Sequence, residues 1–209
     1  MKSGHFIVIE GLDGAGTTTQ AKMLADRLMD RGHRAQMTAQ PSDGPIGRFI
    51  RNVLRGKELG TDGKTMSPDA IAGLFVADRV DHLNSVINPA LNAGAVVICD
   101  RYVHSSLAYQ GVDCDIDWVA RMNAPMPSPD LTILVEVSAE LAAQRRTERA
   151  EESELYEVNA FQRKVARGYH RAIELRPSDH VVTIDGSLSI DEVHSAICSA
   201  VSECLDMSL

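Results

Sequence analysis

Apolar and polar positions along the chain alternate between two periods. "FIVIE" (residues 6–10) is a short apolar run closed by a carboxylate, the pattern of a strand buried in a parallel sheet. "AVVICD" (95–100), "LTILVEV" (131–137) and "VVTID" (181–185) repeat it, and "RAQMT" (34–38) is a more polar version. Between these runs the spacing becomes helical. Met23, Leu24, Leu28 and Met29 make one stripe, stopped by Gly32 after Arg31. "PIGRFIRNVLRG" opens at Pro45 and closes at Gly56, and the glycine-rich "KELGTDGKTM" reads as a loop. A long helix is predicted from Ser67 and Pro68, with a kink or break at Pro89. Ser138 opens a helix carrying "QRRTER", and the acidic stretch "AEESELYE" separates it from a helix through "FQRKVARGYHRAIELR". A last helix runs from about 190 to 204. Strands alternating with helices predict a doubly wound α/β domain, a parallel sheet covered on both faces. With no repeat or linker in view, residues 1–209 read as one domain.

Composition narrows the function without choosing it. A net charge of −8 excludes a general nucleic-acid binder, which would carry a basic stripe, but leaves room for a local anion site. Cys99, Cys114, Cys198 and Cys204 form no paired motif and read as reduced thiols. "MKSGH" leads into the first strand with no apolar leader, and no apolar run approaches the ~20 residues of a membrane span. A soluble, cytoplasmic protein with no membrane partner is the expectation.

The chemistry concentrates in "IEGLDGAGTTTQ", where Gly11, Gly14 and Gly16 lie between the first strand and the first helix. Residues 11–18 fit the phosphate-loop pattern G-x-x-x-x-G-K-[ST] at every constrained position but one, because Thr17 stands in place of the lysine. Glycines let successive backbone N–H groups converge, and the helix start adds partial positive charge. The loop residues Gly11, Gly14, Ala15, Gly16, Thr17, Thr18 and Thr19 are therefore candidates for holding a nucleotide's phosphates. Thr18 stands where a hydroxyl ligates Mg²⁺, and Asp100, ending "VVICD", is the carboxylate that accompanies it. A glycine-rich turn with no ligand is the competing reading. The guanine signature N-K-x-D is absent, which points away from GTPases and toward a kinase of small molecules.

"IEGLDGAG", "LFVADR", "DRYVHSSLAYQG" and "PDLTILVEV", in this order along nearly the whole chain, resemble the thymidylate kinase family. The resemblance implies a five-stranded parallel sheet wrapped by helices, homodimers packed through helices, and phosphorylation of dTMP to dTDP with ATP and Mg²⁺. It also implies roles for particular residues. Asp13 would lie near the monophosphate and its sugar, and Arg101 would clamp that phosphate, suited to it by a planar guanidinium. Phe75 would stack on thymine and Arg79, four residues on and so on the same helix face, would read a carbonyl. Ser105 and Ser106 would contact the base, Tyr109 would pack beside the deoxyribose, and Gln110 would lie near the same pocket. Taken alone, a helical phenylalanine reads as core and a helical arginine as surface; the surrounding "LFVADR" carries the functional reading.

The chain also departs from the family. Where many members read "REP", it has Ala39, Gln40 and Pro41. A lid segment is expected around 148–157, where "SELYE" places Glu154 at the position of a lid arginine. Two expected cations are thus missing, at Thr17 and Glu154. Arg145 and Arg149, four apart on one helix face, are the candidate catalytic replacements, with Arg146 equally readable as a solvated charge. Two alternatives remain: a kinase of the same fold with another base preference, and a nucleotide-binding regulator with weakened catalysis.

Overall fold

The computed structural model of the chain describes residues 4–146 and 152–209, and the side chains of all of these but 146 and 152–159. Five parallel strands form one sheet: β1 (Phe6–Gly11), β2 (Ala35–Ala39), β3 (Val96–Asp100), β4 (Leu131–Glu136) and β5 (Val181–Asp185), in the order β2-β3-β1-β4-β5. The order reverses at β1, which is therefore central and buried along its whole length. Its side chains alternate between two cores. Ile7 and Ile9 join Leu24, Leu28, Ile133 and Ile197 on one face, while Phe6 and Val8 join Leu83, Ile87, Tyr102 and Leu107 on the other. A strand buried on both faces has no polar side to show, hence the continuous apolar run.

Each strand but the last feeds one or more helices before the next. α1 (Thr17–Asp30) follows β1; α2 (Pro45–Leu54), α3 (Pro68–His82) and α4 (Asn88–Asn92) lie between β2 and β3. α5 (Val103–Tyr109) and α6 (Ile116–Asn123) follow β3; α7 (Ala139–Arg146) and α8 (Glu152–Leu175) follow β4; α9 (Ile190–Leu205) closes the chain. The predicted stops are where the pattern placed them: Gly32 and Gly56 take φ values of 81° and 67° just after α1 and α2, and the Ser67 hydroxyl caps α3. The predicted break at Pro89 is a π-helical turn, Leu83–Ile87, which joins α3 to α4 ahead of a residue with no N–H to donate.

Three points differ from the sequence reading. The inward stripe of α1 is Ala21, Leu24, Ala25 and Leu28, whereas Met29 is exposed. Residues 152–157 of the acidic stretch are the first turns of α8, consistent with the good helix propensity of glutamate. The region 103–123, left without elements, holds α5 and α6. α5 is buried nearly all round, so it carries no amphipathic stripe to read. No described helix is long and apolar enough to cross a membrane.

Candidate active site

The C-terminal edge of the sheet brings the phosphate loop and the strand-end carboxylate together. β1 ends at Gly11, where a Cβ would lie 2.7 Å from the Val135 carbonyl oxygen, so only glycine lets β4 approach this closely. Gly16 takes φ 90° as the residue before α1, and no side chain caps that helix. Its first N–H groups are therefore left to an anion. Ala15 and Thr17 are buried, and the Thr17 methyl lies against Gly11. The side chain that replaces lysine is thus packed into the loop. Thr18 and Thr19 are exposed on the first turn. The Thr18 hydroxyl donates to Asp100 Oδ2, while Asp100 Oδ1 is buried with no hydrogen-bond partner among the described residues. A hydroxyl beside an under-satisfied carboxylate is a hard oxygen donor set of the kind Mg²⁺ takes with phosphates and water.

Beside this loop, Arg101 is held from four sides. Nη2 donates to Asp13 Oδ1 (2.7 Å), and Nη1 donates to the Gly11 carbonyl (2.7 Å), to the Tyr169 hydroxyl (3.0 Å) and to Ser105 Oγ (3.2 Å). Its guanidinium lies 5.1 Å from the centre of the Tyr109 ring. Arg101 also adopts φ 71°, a left-handed conformation that costs a non-glycine residue about 1–3 kcal/mol. Glu10, fully buried at the end of β1, secures this turn by accepting from the backbone N–H groups of Tyr102 (2.8 Å) and Ser105 (3.2 Å), and from the Ser105 hydroxyl. Tyr109 accepts from the backbone N–H of Asp13 (3.0 Å), so the loop and α5 are pinned together. Burial raises the phenol pKa of both Tyr109 and Tyr169, keeping these hydroxyls protonated.

A cavity of about 540 Å³ opens from this cluster, lined among others by Asp13, Phe75, Arg79, Arg101, Ser105, Ser106, Tyr109 and Gln110. Arg79 is almost fully buried in its wall. Its Nε donates to Gln40 Oε1 (2.9 Å), Nη2 donates to Ser106 Oγ (2.9 Å) and to the Tyr102 carbonyl (3.0 Å), and Nη1 donates to Asn123 Oδ1. Ser106 therefore holds Arg79, while Ser105 belongs to the Glu10 network. Phe75 stands one turn before Arg79 on α3, and Gln110 follows α5 with its Oε1 buried and unpartnered among the described residues.

Of the two cations expected to replace the lysine, Arg145 is engaged outside the phosphate loop. Arg145 Nη1 donates to the Gly186 carbonyl (2.8 Å), in the loop after β5. The helix that follows this loop, α9, is tied to α1, because Gln20 Nε2 donates to the carbonyl of its first residue, Ile190 (2.9 Å). Arg149, the side chain of Arg146 and residues 148–151 of the expected lid lie outside the described residues. Sequence reasoning read Gln40 only as a departure from the family, and missed Glu10, Asn123, Phe161, Gln162 and Tyr169, which hold or wall the site. Of these only Glu10 left a signal, as a carboxylate in a strand buried along its whole length.

A parallel sheet with a glycine loop at its switch point, a hydroxyl–carboxylate pair and a cavity beside an arginine defines a P-loop nucleotide-binding site. The model of the family described as thymidylate kinase matches residues 9–197. A probable thymidylate kinase of Pyrococcus horikoshii is 40% identical over 199 residues, covering 95% of this chain and 96% of that one. A thymidylate kinase of Desulfotalea psychrophila is 35% identical over 207 residues, covering 98% of each chain. The chain belongs to the thymidylate kinase family.

Proposed function

We propose that the protein transfers the γ-phosphoryl group of ATP to dTMP, giving dTDP for dTTP synthesis. The observation that carries the reading is Arg101, held beside Asp13 at the junction between the phosphate loop and the cavity. ATP's phosphates would lie on residues 11–19, at the uncapped N-terminus of α1. The acceptor phosphate would meet the Arg101 guanidinium, and its base would enter the cavity between Phe75 and Arg79. Thr18 and Asp100 would hold Mg²⁺, which when bound offsets charge on the phosphate oxygens. A cytoplasmic homodimer packed through helices belongs to the same proposal, and the exposed Val80 on α3 is an apolar position available to it.

An ADP-release assay with ATP and Mg²⁺ tests the reading across monophosphates. Turnover should be highest with dTMP and fall for dCMP, dGMP and dAMP. Folded protein that forms no dTDP would overturn it.

Tyr109 should discriminate at the sugar. Tyr109→Ala removes the ring beside the cavity and should raise the relative use of UMP by roughly 10–200-fold, the scale of a packing contact in a pocket. Tyr109→Phe keeps the ring and loses only the hydroxyl's bonds to Asp13, so the dTMP-to-UMP ratio should stay near that of the parent. Equal ratios in the alanine variant and the parent would make Tyr109 a support for the loop alone.

A further inference from the structure

The end of β2 and the segment after it dock against Asp78, Arg79 and His82 of α3 through five polar contacts. Ser42 donates to Asp78 with both its N–H (2.7 Å) and its hydroxyl (2.6 Å). Thr38 Oγ1 lies 2.7 Å from His82 Nε2, and Gln40 Nε2 lies 3.3 Å from His82 Nδ1. Gln40 also accepts from Arg79 Nε at 2.9 Å. Gln40, Arg79 and His82 are all at least 95% buried, so a mismatched donor here has no water to turn to.

The direction of every bond in this chain follows from Arg79. A guanidinium has donors and no acceptor, so the oxygen of the Gln40 amide must face it. The amide nitrogen then faces His82, and since it can only donate, Nδ1 must be the unprotonated acceptor. That leaves the proton on Nε2, donated to Thr38. Thr38, His82, Gln40 and Arg79 form a single directed chain with one allowed protonation state. Adding a proton to Nδ1 sets two donors face to face. Turning the amide over relieves that clash only by setting its nitrogen against Arg79 Nε.

We propose that Gln40 and His82 are positioning residues for Arg79, and that the base-reading guanidinium keeps its seat only while His82 is neutral. The proposal rests on the reading of Arg79 as the group that meets the base. Burial, the largest influence, lowers the His82 pKa below its ordinary value, so the neutral ring is the form present at physiological pH. The charges facing His82 are Asp78, Asp81 and Arg79 of its own helix and Asp43 after β2; the three carboxylates raise its pKa and Arg79 lowers it. Because the folded pKa is the lower one, the cost of keeping the ring neutral is absent above about pH 6.5 and grows as the pH falls below it.

The test compares dTMP kinetics of the parent, Gln40→Glu and His82→Asn between about pH 5 and 8. In the parent, KM for dTMP should rise at least ~10-fold as the pH falls, the scale of one bond to a charged group, while kcat at saturating dTMP and KM for ATP change little. A carboxylate at position 40 accepts from Arg79 and from either protonated form of His82, so Gln40→Glu should flatten that limb. The phosphate of dTMP titrates in the same range, but equally for all three proteins, so the difference between variants belongs to the chain. Nitrogen-15 NMR of the imidazoles, with His82 assigned through His82→Asn, should show the proton on Nε2 without any substrate. Identical acid limbs in the parent and Gln40→Glu would overturn the proposal. So would a proton on Nδ1, whatever the activity. Failure to turn over dTMP would count against the kinase reading instead, because the ring measurement needs no reaction.

Discussion

Arg101→Ala is expected to lower the turnover of dTMP by about 10²–10³-fold, the loss typical of one group that stabilises charge in the transition state. Arg101 meets Asp13, the Gly11 carbonyl, Ser105 and Tyr169 at once, so its guanidinium stands where loop and cavity join. Arg101→Lys keeps the charge but not the planar fork, and should recover only part of the loss. The backbone offers a second measurement on the same residue. At φ 71° an alanine retains the Cβ that the left-handed region disfavours, whereas a glycine does not. Arg101→Gly should therefore be more stable than Arg101→Ala by about 1 kcal/mol, although both lose the same side chain and the same activity. Thermal or urea unfolding of the two variants reads this difference directly. Equal stability would show that the left-handed turn places no strain on the residue; full activity in either variant would remove Arg101 from the chemistry.

The sheet was legible in the sequence because its signal is local. Buried parallel strands show as apolar runs, and Gly32, Gly56 and Ser67 mark helix ends through conformations or caps that belong to those residue types. The glycine loop and Asp100 were legible for the same reason, since a strand, a loop and a helix start follow one another in the chain. The supports of the site were not. Tyr169 reaches Gly11 and Arg101 from α8, well over a hundred residues from the loop, and a tyrosine on a long helix looks like any core aromatic. Gln40 stood out only as a departure from "REP"; packed between α3 and β2, it makes the bond to Arg79 Nε. Helix α5 escaped because a segment buried on nearly every side leaves no polar face to set its period.

Thr17→Lys is expected to raise turnover by at least tenfold, toward the ~10²–10³ that a single charge-stabilising donor contributes to phosphoryl transfer. The argument starts from what surrounds the position. Thr17 is the first residue of α1, buried with its methyl against Gly11, and so brings no charge to the loop. Arg145, one of the two arginines expected to substitute, directs Nη1 at the Gly186 carbonyl instead of the loop. On the proposed reading phosphate meets the uncapped N-terminus of α1 in either variant, so KM for ATP should change much less than kcat. Arg145→Ala supplies the opposing test. If Arg145 acts on phosphate, its removal should cost about as much as Thr17→Lys gains, and the lysine should rescue that variant more than it helps the parent. If it only braces the loop after β5, the two substitutions should combine additively, as distant and independent sites do. The geometry favours the additive outcome. An unchanged kcat in folded Thr17→Lys would mean that another cation already serves the phosphate chain, and Arg149→Ala with and without the lysine would show whether Arg149 supplies it.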